Sequence, residues 1–309
     1  MKKSRLIKIR RLFNFKQDFS PMEQKQSIGK RILHSALVKI LIGFAICAFT
    51  IGLGQAFVPR ILSIFTHNSD ISIIVTSIVV SILTIYVYRL LFSNYEKRNI
   101  TELSAKSLLT NLGAGILLGV VYQSLVILVI YLNKGYTVVS INSAPNVLPY
   151  LAICICAGIT EELIFRGIIF RLAEEKLGSY YALLISAAIF GGVHLMNENS
   201  TTLAAIAIAV EAGLLLGTAY MFTRNLWFPI AIHIAWNFAQ SGIFGASTSG
   251  FAVKDSFISA HITGDKLITG GLFGPEASVQ AMAIGLLAAA ILLVMSRRKG
   301  NLKSPYWKK

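Results

Sequence analysis

The sequence predicts an all-α fold, a polytopic transmembrane helix bundle of about eight spans with both termini cytoplasmic. Three observations lead there. Hydrophobic residues make up 55% of the 309 residues and charged ones only 14%, against about 25% in soluble chains. The apolar residues come in long blocks near the roughly 20 residues that cross a hydrocarbon core. The net charge of +15 is gathered at the ends and in one loop instead of being spread along the chain. In lipid only helices or closed barrels satisfy every backbone polar group, and blocks of this length are helical.

The blocks fall at about 36–58, 70–95, 107–132, 147–172, 179–196, 201–222, 226–241 and 277–296. The fifth and seventh are short. From the fourth to the seventh, only tight turns separate the blocks. Positive charge clusters in "MKKSRLIKIRRLFNFK", in "YEKRN" after the second block and in "RRKGNLKSPYWKK" at the end. The opposite loops hold only Arg60, Lys134, Lys254 and Lys266 as basic residues. An even number of spans with both ends inside obeys the positive-inside rule. The charge is thus a topology signal, and the expected partner is the lipid bilayer, not nucleic acid.

The domain reading follows. Residues 1–35 form a basic cytoplasmic segment, and Leu6, Ile9, Leu12 and Phe13 at helical spacing allow an interfacial helix on an anionic leaflet. No apolar core or cleavage site of a signal peptide precedes Leu37. Residues 36–296 form the transmembrane domain, and 297–309 a basic cytoplasmic tail. The Gly- and Ser-rich loop 242–276, with His261, Asp265 and Glu276, is read as external and solvated. Cys47, Cys154 and Cys156 have no disulfide or metal-framework spacing.

Function in such a chain lies with polar groups inside the spans, each costing about 2.5–3.5 kcal/mol to insert. They are few. "AGITEELIFRGIIF" puts Glu161, Glu162 and Arg166 in the fourth block. His194 ends the fifth in "FGGVH". Glu211 lies in the sixth, and His233 and Asn237 lie in the seventh in "HIAWN". Glu162 precedes Arg166 by four, the favoured order for an i,i+4 ion pair. Glu161 lies about 100° further round the helix and needs a partner from another span, with His194, His233 and Asn237 as candidates. His233 and Asn237 share one helix face. Glu211 is a nearby supporting carboxylate or a partner for Arg166. Gly213 and Gly217 form a small-residue packing face.

A carboxylate, a histidine and a histidine–asparagine pair on three helices suffice for hydrolysis of a carbonyl bond by water. Glu161 with His194 holds and deprotonates the water. His233 and Asn237 donate hydrogen bonds to the oxyanion.

"EELIFR", "FGGVH" and "HIAWN" fit EExxxR, FxxxH and HxxxN in order, on successive apolar blocks. Over about 147–245 the chain resembles the CAAX prenyl protease and bacteriocin-processing (CPBP, Abi) family of intramembrane proteases. The resemblance implies a peptide or protein substrate cleaved within the membrane, as in peptide maturation or bacteriocin self-immunity. It implies catalytic roles for Glu161, His194, His233 and Asn237, with Glu162 and Arg166 organising the site. No cofactor is expected. A zinc, if present, would be held by Glu161, His194 and His233. The compact chain and basic ends suit a bacterial cytoplasmic membrane. The alternative functions are a non-catalytic membrane partner or regulator, and a proton-coupled transporter. A transporter would show paired broken helices, whereas the prolines within the later blocks, Pro149 and Pro229, stand near their starts.

Overall fold

The structure is a computed structural model that describes residues 35–308. The proposed interfacial helix over residues 1–35 falls almost wholly outside the described residues. From Ala36 onward the described chain forms one compact unit.

All eight apolar blocks are helical. The first three are uninterrupted: α1 (Ala36–Leu62), α2 (Ser69–Tyr95) and α3 (Leu108–Leu132). Asn68 caps α2 by accepting the Asp70 and Ile71 amides. The fourth block begins as α4 (Leu148–Glu162), with Pro149 in its first turn, where a missing N–H costs nothing. It passes through a π-helical segment, Leu163–Phe170, into α5 (Arg171–Val193). At Gly178 the backbone leaves the helix at φ +76 and ψ 169, so the fourth and fifth blocks meet at this kink. A Cβ there would sit 2.7 Å from the Pro305 nitrogen as well as strain the backbone. The sixth block is α6 (Thr202–Ile208), a π segment at Ala209–Gly213, and α7 (Leu214–Thr223). The seventh is α8 (Trp227–Phe238) with a π segment at Ala239–Ile243. After a short α9 (Lys266–Thr269), α10 (Val279–Arg298) ends the bundle.

Five helical stretches are long and apolar enough to cross a membrane: Ala36–Leu62, Ser69–Tyr95, Leu108–Leu132, Thr202–Thr223 and Val279–Arg298. The expected fourth, fifth and seventh spans are not among them. The fourth and fifth share a helical run with Glu161, Glu162, Arg166, Arg171, Glu174 and Glu175, and α8 is short. These segments are packed inside: nearly every residue from Leu163 to Glu174 is buried, as is most of α8. The outer helices instead expose large apolar side chains, among them Leu37, Leu41, Phe49 and Phe57 on α1. An apolar surface of that size is a lipid-facing one, and the chain is a multi-pass membrane protein.

Helix α8 sits between α3 and α4. Its approach to α3 depends on missing side chains: a Cβ on Gly115 would lie 2.7 Å from the Phe228 carbonyl, and one on Gly119 would lie 2.5 Å from the Ile232 carbonyl. Gly213 and Gly217 pack on Ala187 and Leu183 of α5, as a small-residue face should.

The fold is not purely helical. Strands β1 (Tyr136–Ile141) and β2 (Ile258–Ile262) pair antiparallel, with a bulge between Val138 and Ser140. This ribbon ties the segment after α3 to the long loop after α8. The loop is therefore ordered, and its His261 and Asp265 are exposed as a solvated connection requires. Its Glu276, counted there as a scattered polar residue, is 1% exposed. The end predicted only as a basic tail is also tied down. Asn301 donates to the Met221 and Phe222 carbonyls, Lys303 and Ser179 exchange hydrogen bonds, and Trp307 packs on Tyr181.

The basic cluster after α2 is less free than its sequence suggests. Arg98 grips Glu102 through two nitrogens at 2.8 and 2.6 Å, and Arg171 reaches Glu96 at 2.9 Å. Burial alone would raise the carboxyls of Glu96 and Glu102. The surrounding Arg171, Arg98, Lys39 and Tyr88 groups overcome it and hold both below the ordinary value.

Candidate active site

The three helical runs that carry intramembrane polar groups each contain a π segment, and each segment follows or includes those groups. Leu163–Phe170 includes Arg166, Ala209–Gly213 includes Glu211, and Ala239–Ile243 follows Asn237. Inserting one residue into a helix turns the side chains beyond it to a new face, and such bulges gather at functional sites.

Arg166 is fully buried. Its Nη1 donates to Glu162 Oε1 at 2.7 Å, its Nη2 donates to the Ala212 carbonyl at 2.9 Å, and its guanidinium lies 4.5 Å from the Phe190 ring centroid. The i,i+4 pair expected from spacing is present. Glu211 does not pair with Arg166, correcting one of its two expected roles: it accepts from the Tyr122 hydroxyl instead.

His233 stands between the two neighbouring glutamates. Its Nδ1 lies 3.1 Å from Glu162 Oε1, and its Nε2 lies 4.0 Å from Glu161 Oε2. A carboxylate already paired with Arg166 can only accept, so Nδ1 carries the proton and Nε2 faces Glu161. Glu162 thus anchors an imidazole as well as a guanidinium. His194 follows the end of α5 in a single 3-10 turn, with Nδ1 2.7 Å from the Phe190 carbonyl. A carbonyl also only accepts, which leaves Nε2 of a neutral His194 with the lone pair.

Glu161, His194, His233 and Asn237 all line one cavity of about 500 Å³. The Glu161 carboxylate is partly open to it, and Glu161 Oε2 has no hydrogen-bond partner among the described residues. Sequence depth placed His194 near one end of the bundle, apart from the other two. The structure reconciles this because residues 248–253 of the long loop also line the cavity, which therefore lies toward the ribbon end. Asn197 and Asn199 hold that loop by donating to the Ser249 and Gly250 carbonyls. Glu276 accepts from the Ser249 amide and from Gln240. Burial pushes the Glu276 carboxyl up to about 7, partly offset by these donors.

Tyr122, Gln240, Glu276 and the 248–253 segment did not emerge as site elements from sequence. Gln240 offered a weak signal, lying one turn beyond Asn237 on the same block. Glu276 offered none, since its partners are remote in sequence. Among the described residues no group of three or more His, Cys, Asp and Glu is placed to hold a metal ion. Glu161, His194 and His233 therefore do not form a ready ligand set in this arrangement.

Residues 143–239 match the family model of the type II CAAX prenyl endopeptidase Rce1-like proteins. Over 115 residues the chain is 33% identical to "Putative membrane peptidase YdiL" of Bacillus subtilis (strain 168), an alignment covering 37% of this chain and 42% of that protein. The chain thus spans less than half the length of the curated relative it matches. No solved structure matches. The family match encloses all three ordered motifs, so it is over this segment that the chain is similar to the CAAX prenyl endopeptidase family.

Proposed function

We propose that this protein is an intramembrane endopeptidase that hydrolyses a peptide bond with water activated by Glu161 and His194. The observation that carries the reading is the meeting of Glu161, His194, His233 and Asn237 around one cavity, though they come from three separate helical runs. The match of residues 143–239 to the family model and the likeness to a named membrane peptidase support the peptide as substrate.

The chemistry runs as follows. Glu161 takes a proton from water while the lone pair of His194 Nε2 orients that water. The hydroxide oxygen bonds to the scissile carbonyl carbon, and the carbonyl electron pair moves onto its oxygen. His233 and Asn237 stabilise this oxyanion by donating hydrogen bonds. His233 Nδ1–H is committed to Glu162, so donation to the oxyanion uses Nε2–H and the ring serves as an imidazolium. On collapse the C–N bond breaks and Glu161 delivers its proton to the leaving amine. Arg166, held by Glu162 and the Ala212 carbonyl, fixes the geometry.

The test compares membranes carrying wild-type protein with membranes carrying Glu161→Ala, by proteomics of peptide termini. Termini that require Glu161 are expected, and identical terminal profiles would sink the reading. Activity is expected to survive thorough chelation; loss reversed only by added zinc would replace the metal-free route. The cell membrane of a bacterium is the proposed location, and peptide maturation or self-immunity the proposed process.

A further inference from the structure

The loop that walls the cavity has an uneven hydrogen-bond pattern. Thr248 and Phe251 pair through both amides, at 3.0 and 2.9 Å. The Gly250 amide donates to the Phe273 carbonyl at 2.8 Å. Ser249 is held through its amide by Glu276 and through its carbonyl by Asn197. On the other side the Tyr150 hydroxyl accepts the amides of Lys254 and Asp255, at 2.8 and 3.3 Å. Between these pinned flanks stand Ala252 and Val253. Neither the amide nor the carbonyl of either residue is bonded to any described residue. Both residues line the same cavity as Glu161 and His233.

We infer that Ala252 and Val253 form the backbone edge along which an extended peptide substrate pairs, so that main-chain hydrogen bonds hold the scissile bond over Glu161. This deepens the proposed function and rests on it. Three observations favour a peptide as the occupant. The free groups are a donor–acceptor set matching that of another main chain. The flanks are already immobilised, so little ordering cost remains on binding. The edge lines the same cavity as the catalytic side chains. Recognition through main-chain groups sets register without demanding one sequence. The apolar wall made by Ile153, Ala157 and Phe251 would select side chains.

The experiment uses the full chain in lipid nanodiscs and a quenched-fluorescent peptide library. The peptide cleaved fastest is resynthesised with one backbone nitrogen methylated at a time. Strand pairing points alternate residues toward the partner edge, so one of Ala252 and Val253 faces the substrate, and the methylation loss should fall at one position near the scissile bond and spare its immediate neighbours. Of Ala252→Pro and Val253→Pro, the change that removes the amide facing the substrate should cut kcat/KM about tenfold, mainly through KM, and the other should not. That loss should not add to the loss from methylating the paired position, whereas a merely misfolded loop would give independent losses. Both prolines leaving kcat/KM within twofold, or equal methylation losses at adjacent positions, overturn the edge while leaving the hydrolase standing. Cleavage of no peptide by wild-type protein, or cleavage undiminished in Glu161→Gln, overturns the hydrolase reading and the edge with it.

Discussion

One carboxylate oxygen, Glu162 Oε1, receives both Arg166 Nη1 at 2.7 Å and His233 Nδ1 at 3.1 Å. A single atom thus locks the fourth and seventh apolar blocks together and decides which imidazole nitrogen faces Glu161. Glu162 and Arg166 are both fully buried, where a charge deprived of its partner is far more costly than the pair. Glu162→Ala is therefore expected to destabilise the protein by about 3–5 kcal/mol. A paired Glu162→Gln/Arg166→Met change should lose much less. Thermal unfolding in detergent compares the two; equal losses would show that the pair is not coupled.

The proposed chemistry assigns different penalties to the cavity residues. Glu161→Gln and His194→Ala should each lower kcat by about 10²–10⁴, the usual worth of a positioned acid–base group. Asn237→Ala should lower it by about 10²–10³, as loss of one oxyanion donor does. Unfolding temperatures should barely move in Glu161→Gln and Asn237→Ala, since both residues are only partly buried. Activity retained in Glu161→Gln would remove that residue from the reaction.

Glu276 makes stability depend on pH. Its carboxyl is pushed up to about 7 by burial, from an ordinary value of 4.5. Between those values the folded chain holds a proton that the unfolded chain has lost. Stability is therefore greatest in acid and falls as pH rises through that window. The contribution is roughly 3 kcal/mol across it. Glu276→Gln should flatten this part of the profile, measured as unfolding temperature at pH 5, 6, 7 and 8. A variant whose profile keeps the wild-type slope would exclude Glu276 as its source.

Gly119 sets the seat of α8. A Cβ there would lie 2.5 Å from the Ile232 carbonyl, the residue next to His233. Gly119→Ala should force α3 and α8 apart, costing about 1–3 kcal/mol. Because the displaced residue adjoins His233, kcat should also fall, while Gly113→Ala, with open space around it, should change neither. Unchanged unfolding and activity in Gly119→Ala would show that the contact relaxes freely.

The helical blocks and the polar residues within them were legible because lipid imposes a local rule: each span must be apolar along its own length. The three motifs stood out for the same reason, since a glutamate or histidine is conspicuous against Leu and Ile. The role of the fourth, fifth and seventh blocks was less legible. Helices sheathed by other helices and helices facing lipid can look alike in composition, and only packing showed Arg166 sealed between Glu162 and Phe190. The 242–276 loop misled because Gly and Ser are as frequent in a pinned strap as in a solvated one. Its hydrogen bonds to Asn197 and Tyr150 join segments far apart in sequence.

The order of residues alone determined that this chain belongs in a membrane and which few side chains there are unusual, because hydropathy is a property of each segment taken singly. Only the folded arrangement decided that His233 faces two glutamates, that Glu211 turns to Tyr122, and that Thr248, Ser249 and residues 251–253 line the cavity. Those outcomes depend on distances between helices, which π turns and glycine contacts adjust in steps too small for a one-dimensional pattern to carry.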